Sequence, residues 1–221
     1  MKRCLQIVFF LFVSLQGFAT NPQNLDSIKQ ALKTKPRVVF GLNNRFSTIS
    51  GEISRTTRLF AGLDYDKKIR FELALNAMPS AAVTIDYPRD GDTILRTNQL
   101  AYIGFQAEYT FFHSKKWKLS FPVQIGLGRN THTRRENRHL LLTRRSPVVP
   151  IEPGVNGLYY IYDWIGLKAG VGLRMSLGQS FSALSGPYYN IGVAVFAGEL
   201  YRRFKKAQQK TPTESAEVFI R

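Results

Sequence analysis

From Arg37 onward, apolar and polar residues alternate one by one. In 117–128 the odd positions are Trp117, Leu119, Phe121, Val123, Ile125 and Leu127, and the even ones are Lys118, Ser120, Pro122, Gln124, Gly126 and Gly128. Side chains of a strand point alternately to opposite faces, so this spacing predicts a strand with one apolar face and one polar or tiny face. Residues 164–177 repeat it, with Ile165, Leu167, Ala169, Val171, Leu173 and Met175 opposing Gly166, Lys168, Gly170, Gly172, Arg174 and Ser176. The same period runs through 68–76, 101–111 and 190–198, and more weakly through 37–47, 54–65 and 149–162. Eight strands follow, most of roughly 9–13 residues, a length that suits tilted strands crossing a bilayer.

Glycines and charges identify the faces. Of the twelve glycines in these segments, eleven share the polar face: 41, 62, 104, 126, 128, 154, 166, 170, 172, 192 and 198; only Gly157 is on the other. Arg45, Arg58, Asp64, Lys68, Arg70, Glu72, Glu108, Lys118, Glu152, Lys168 and Arg174 also lie on the glycine face, whereas the apolar face carries only Arg55 and Glu199. A soluble sandwich would turn its charges to water and would not crowd its glycines beside them. A cramped, charged face and a continuous aliphatic one predict an all-β fold, an eight-stranded antiparallel up-and-down transmembrane β-barrel with lipid outside and a polar interior. Eight strands enclose only enough room for side chains, so the interior charges at 45, 58, 64, 70, 72, 108, 118, 152, 168 and 174 are expected to form a packed network. Seven bases, Lys68 included, against four acids leave an excess expected to meet water or the rim; a narrow anion-leaning channel is the alternative.

Connections alternate in length. Residues 65–67, 113–116 and 162–164 are tight, while 48–53, 78–97, 129–147 and 178–187 are longer. Short periplasmic turns and long external loops are the rule in outer-membrane barrels. An even strand number then leaves both termini periplasmic. Tyr65, Tyr109, Phe111, Trp117, Tyr159 and Tyr201 fall on the apolar face near that end, as an aromatic girdle would. Three segments carry a family resemblance: 121–128 (FPVQIGLG), 152–154 (EPG) and 164–174 (WIGLKAGVGLR). With them the chain resembles the small OmpA/OmpX-type eight-stranded barrels, in particular the outer-membrane β-barrel domain family common in Bacteroidetes. The resemblance implies insertion by the barrel-assembly machinery through a last strand ending in an aromatic, a part that Phe204 would play.

The N-terminus adds a destination. Lys2 and Arg3 precede an apolar stretch, Leu5 to Phe12, and Gly17-Phe18-Ala19 supplies small residues at both cleavage-site positions. This is the pattern of a secretory signal peptide, with cleavage expected after Ala19. Residues 20–36 form a periplasmic leader in which Leu25, Ile28 and Leu32 stand at helical spacing, Asp26 or Ser27 is a candidate cap and Pro36 a stop. The barrel is expected over 37–204 and a periplasmic tail over 205–221. Mean hydropathy is −0.17 and no later run approaches a helical span, which excludes a polytopic helical protein. The single cysteine, Cys4, lies in the signal, so neither a disulfide scaffold nor a thiolate metal centre is available. A net charge of +16 would suggest nucleic acid, but export from the cytoplasm removes that partner. Loss of Lys2 and Arg3 brings the charge to about +14, spread over lumen, outer loop and tail.

The sharpest exposed feature is the basic segment 129–147. It holds Arg129, Arg134, Arg135, Arg138, Arg144 and Arg145 against Glu136, with Leu140, Leu141 and Leu142 in its middle. Arginine forks suit phosphate and carboxylate, and at an outer rim the nearest anions are lipopolysaccharide phosphates. Catalysis has one candidate set, since lipid A-modifying barrels use Ser, His and an acid near the rim: His132 or His139, Glu136 and Ser146. No spacing forces these together, so no catalytic residues are assigned. His113 reads as a solvated turn residue. No metal or cofactor set is present. The expected role is an integral, non-enzymatic outer-membrane protein of a Gram-negative bacterium, structural or interactive. Its basic loop would touch lipopolysaccharide or an envelope partner, and the alternatives are a lipid A-modifying enzyme, an accessory subunit of a secretion or uptake assembly, or a narrow channel.

Overall fold

The computed structural model describes residues 22–49, 52–80, 82–86, 94–136, 139–177 and 184–214. The signal peptide expected over 1–19 lies outside these. A helix, α1 (Pro22–Leu32), precedes nine strand segments: β1 (Arg37–Ile49), β2 (Glu52–Tyr65), β3 (Ile69–Ala77), β4 (Ala82–Asp86), β5 (Ile94–His113), β6 (Trp117–Glu136), β7 (His139–Tyr162), β8 (Ile165–Leu177) and β9 (Gly186–Phe196). A second helix, α2 (Ala197–Glu214), follows. The strands pair antiparallel in chain order and β1 pairs with β9, so the sheet closes on itself. β3 and β4 are two halves of one strand, both paired with β5, through Ala77↔Ala101 and Ala82↔Asn98. The Met78 N–H still donates to Leu100 O at 2.9 Å. Pro79, which has no N–H to give to a ladder, then breaks the strand. The ring is therefore the eight-stranded up-and-down barrel that the alternation predicts.

The turns at one end are tight. Between β2 and β3, Asp66 and Lys67 take positive φ of 49° and 56°. That primed conformation matches strand twist in a two-residue hairpin, and the Asp64 carboxylate holds it by accepting from Lys67 N–H at 2.9 Å. The tight turns 66–68, 114–116 and 163–164 share an end with the start of β1 and the finish of β9. α1 lies at the start of the chain's described part, with Ala31 buried. It begins at Pro22, earlier than the Asp26 or Ser27 expected as its cap, because proline is well accommodated in a first helical turn.

Two expectations are corrected. The loop expected over 129–147 is mostly strand, because β6 runs on to Glu136 and β7 starts at His139. Arg129↔Pro147, Thr131↔Arg145 and Thr133↔Thr143 pair in register. Threonines at 131, 133 and 143 favour a pleated backbone, and the arginines between them hid the period. β4 and the start of β5 likewise take up much of 78–97, and β1 and β2 take up most of 48–53. At the other end the barrel stops at Phe196, not Phe204. Ala197, Leu200, Tyr201 and Phe204 stand at i, i+3, i+4 and i+7, so the period changes from strand to helix there. Gly198 and Glu199 thus belong to α2, and a Cβ on Gly198 would meet nothing within 4 Å.

The wall is apolar outside. Leu127, Leu73, Val171, Ile103 and Ile191 are 70%, 63%, 61%, 60% and 58% exposed. On β6 the outward row from Trp117 to Leu127 covers about 34 Å of strand, or roughly 26 Å of height at a tilt near 40°. Among the described residues no helix is long and apolar enough to cross a membrane. Inside, two apolar clusters pack beside a polar network. Val39, Phe60, Ala74, Leu158, Tyr160, Ala194 and Phe196 pack in one, and Met78, Leu100, Tyr102, Val148 and Leu184 in the other.

Candidate functional site

The polar network of the lumen gathers charges from seven strands. Arg45, Arg58, Asp64, Arg70, Glu72, Glu108, Lys118, Glu152, Lys168 and Arg174 all point inward, and none is more than 3% exposed. Asp64 accepts from Arg70 at 2.8 Å and from Lys118 and Arg37 at 3.1 Å. Glu72 accepts from Arg58 at 2.6 Å and from Arg70 at 3.3 Å. Glu108 accepts from Lys168 at 2.8 Å and lies 3.6 Å from Arg70. Glu152 takes Arg174 at 2.6 Å, the Tyr102 hydroxyl at 2.7 Å, and Arg45. Gln124 ties the groups together, its Oε1 accepting from Arg45 at 3.2 Å and from Arg58 at 3.1 Å.

Six buried cations thus face four carboxylates, while Lys68, the seventh base, sits at the rim. Each carboxylate is shared by at least two cations. Aromatic faces take up more: Arg58 lies 4.6 Å from the Phe60 ring centroid, Arg45 4.8 Å from Tyr188, Arg70 5.6 Å from Phe196 and Arg174 5.8 Å from Tyr102. A ring face carries negative potential, so it serves as a partial counter-ion where a carboxylate is missing. Lys68 departs from expectation. It sits half-buried in the β2–β3 turn with Nζ 5.2 Å from the Tyr109 ring, because the hairpin turn carries it out of the lumen row. Sequence reasoning assigned no role to Phe60, Phe196, Gln106 or Gln124. Their inward parity was the available signal.

Glycines mark where strand and side chain meet inside the wall. A Cβ on Gly192 would run into the Leu42 carbonyl and Asn43, and one on Gly172 into Pro153 O and the Tyr188 ring at 2.5 Å. On Gly157, at outward parity, the nearest atom would be Leu119 Cδ2 at a comfortable 3.5 Å.

Of the six basic-segment arginines, Arg129, Arg144 and Arg145 have described side chains, and these three do not share one face. Arg129 and Arg145 are both exposed on the outward face, diagonal to one another across β6 and β7, a spacing of about 7–8 Å between Cα atoms. They stand just beyond Leu127, at the upper edge of the apolar wall. Arg144 is exposed and pairs in register with His132, on the opposite face. Arg134 and Arg135 lie in β6 beside a register shift, and Arg138 lies outside the described residues.

Of the candidate catalytic set, His132 and Ser146 have described side chains. The His132 ring lies 3.1 Å from Asn98 Oδ1 through Nδ1, and Ser146 pairs in register with Asn130. Glu136 and His139 oppose each other in the backbone ladder at the hairpin tip. His113 is exposed at the end of β5, its ring edge-on to Tyr160. Partial burial and the nearby Lys67 and Lys118 charges hold its pKa below the ordinary histidine value. Among the described residues no three His, Cys, Asp or Glu side chains gather as a metal site.

No family model matches the chain, and no curated protein matches it. Among solved structures it is similar to Neisserial surface protein A, with 17% identity and a TM-score of 0.47, over 73% of this chain and 96% of that one. The N-terminal β-barrel domain of Pseudomonas aeruginosa OprF matches with 13% identity and a TM-score of 0.45, over 73% and 98%. The attachment invasion locus protein Ail of Yersinia pestis, solved with the heparin analogue sucrose octasulfate, matches with 8% identity and a TM-score of 0.42, over 72% and 96%.

Proposed function

We propose that the chain is an integral outer-membrane protein of structural or interactive role, a sealed barrel that anchors a projecting β5–β6–β7 sheet at the cell surface. One observation carries this reading: a continuous outward wall of exposed aliphatic and aromatic side chains surrounds a lumen filled by ion pairs and two apolar clusters. In water the wall would be an aggregation surface; in a bilayer about 25 Å thick it is satisfied. The tight turns and both described chain ends then face the periplasm, where export through a cleaved segment 1–19 would leave them. The extended sheet faces outward.

Arg129 and Arg145 stand where the apolar wall ends and headgroups begin. Two guanidinium forks at that depth suit the phosphates of lipopolysaccharide. The test is lipopolysaccharide retained per barrel after mild detergent extraction from envelopes, compared with the Arg129→Gln/Arg145→Gln double variant. About a tenfold loss of affinity is expected, the equivalent of one charge-assisted hydrogen bond, and more at low salt. Unchanged retention would leave a barrel without this contact.

A further inference from the structure

The helix that follows the barrel has no place in the role just described. α2 starts directly after the last strand, at the end with the tight turns. Two ion pairs hold its first turns against that end. Glu199 lies 3.8 Å from Arg37 at the start of β1, and Arg203 lies 3.6 Å from Asp163 in the β7–β8 turn. Arg203 also lies 6.0 Å from the Tyr162 ring centroid. Glu199 and Arg203 are four apart, so one helix face is turned to the barrel. Ala197, Leu200, Tyr201 and Phe204 centre on a direction about 130° round the helix from that face. Tyr201 and Phe204 are 69% and 63% exposed there, large aromatic surfaces with no protein against them in the barrel.

We propose that α2 is an interfacial anchor, its aromatic stripe seated in the periplasmic leaflet and its cations on anionic phospholipid headgroups. The inference rests on the reading of the barrel as membrane-spanning. Two features select lipid over a protein partner. The first is continuity: Trp117, Tyr162, Phe111 and Phe112 are 51%, 55%, 38% and 49% exposed at the same end of the barrel, and Tyr201 and Phe204 extend that girdle from the rim. Amphipathic rings at one level are what a membrane interface collects. The second is charge: α2 carries five lysines and arginines against two glutamates, and Arg202, Arg203 and Lys205 are exposed, Arg202 also pairing with Glu199 at 2.5 Å and Arg203 with Asp163. A basic helix with a narrow aromatic stripe and low overall hydrophobicity lies on a membrane rather than through it.

Three nitroxide-labelled variants of the full chain test this, each in vesicles of phosphatidylethanolamine with phosphatidylglycerol: Leu73→Cys in the wall, Phe204→Cys and Arg202→Cys, all on a Cys4→Ser background. Accessibility to oxygen against a water-soluble relaxant reports depth. The labels at 73 and 204 should both favour oxygen several-fold over the label at 202. Replacing phosphatidylglycerol by phosphatidylcholine should shift the label at 204 towards water and leave the one at 73 unmoved. A label at 204 as wet as that at 202, or shielded from both probes as it would be under a protein partner, overturns the anchor while the dry label at 73 keeps the barrel. A wet label at 73 removes the membrane reading, and the anchor with it.

Discussion

The two faces of the barrel wall are built from neighbouring residues of the same strands, yet they obey opposite rules. On β6, Lys118 and Gln124 point inward and are fully buried, while Ile125 and Leu127 point outward and are 53% and 70% exposed. A water-soluble protein places such residues the other way round. The inner face survives because every buried charge there is matched by a shared carboxylate, an amide or an aromatic ring. The outer face survives only where water is absent. An average over the chain cancels the two, which is why a mean hydropathy of −0.17 conceals a membrane protein.

The inner rule is the easier to break. Glu152 is the carboxylate shared by Arg45 and Arg174, and Tyr102 donates to it as well. Glu152→Gln keeps the shape and removes the charge, leaving two buried guanidiniums without a carboxylate. A loss of about 3–5 kcal/mol is expected in urea unfolding from a bilayer, because breaking a buried pair costs more than never having built one. Replacing all three, Glu152→Leu with Arg45→Met and Arg174→Met, should recover most of it. A Glu152→Gln variant within about 0.5 kcal/mol of the parent, in the range of a surface change, would mean that water reaches the arginines and that the lumen is open.

How much of this contrast was legible in the sequence depends on which residues carry it. Period-two alternation, with glycine and charge on one side, located the lumen and the ten charges buried there among the described residues, because parity along a strand is a local property, and misplaced only Lys68 of the set, at the turn. The sharing of Asp64, Glu72, Glu108 and Glu152 was not legible, since it joins side chains from strands up to 107 residues apart, as Arg45 and Glu152 are. Counting bases against acids missed the ring faces of Phe60, Tyr188 and Phe196 as counter-ions. The apolar clusters escaped for a related reason. Leu158, Tyr160 and Phe196 sit at inward parity in an otherwise polar row, and only closure of the ring brings them together. The basic segment and the tail were misread where charge masks periodicity: β6 and β7 continue through arginines, and the strand ends eight residues before Phe204.

The outer rule breaks in the opposite direction. Val123 is outward and mid-wall on β6, halfway along the row from Trp117 to Leu127. Val123→Arg should cost about 2–4 kcal/mol when the barrel is folded in a bilayer, the cost of a cation near the midplane. The same change on the surface of a water-soluble barrel would be nearly neutral. The two readings therefore differ by the whole effect. A substitution without cost in bilayers would refute the apolar wall as a lipid contact.

The smallest change compares the faces with a single methyl group. Gly192→Ala places a Cβ inside the wall, against the Leu42 carbonyl and Asn43. Those atoms belong to the paired strand β1, so relief requires the ladder itself to shift, and overpacking of this kind costs about 1–3 kcal/mol. Gly157→Ala adds the same methyl on the outward face, where the nearest atom stands at 3.5 Å. Glycine in a strand loses more backbone freedom on folding than alanine, so this variant should equal the parent or exceed it by roughly 0.5 kcal/mol. Urea midpoints of the pair, measured side by side, isolate interior space from strand propensity, which the two positions share. Equal costs at 157 and 192 would mean that the glycines serve backbone flexibility. A cost confined to 192 ties the one-sided run of glycines to the width of the lumen, and so to the packing that keeps the barrel shut.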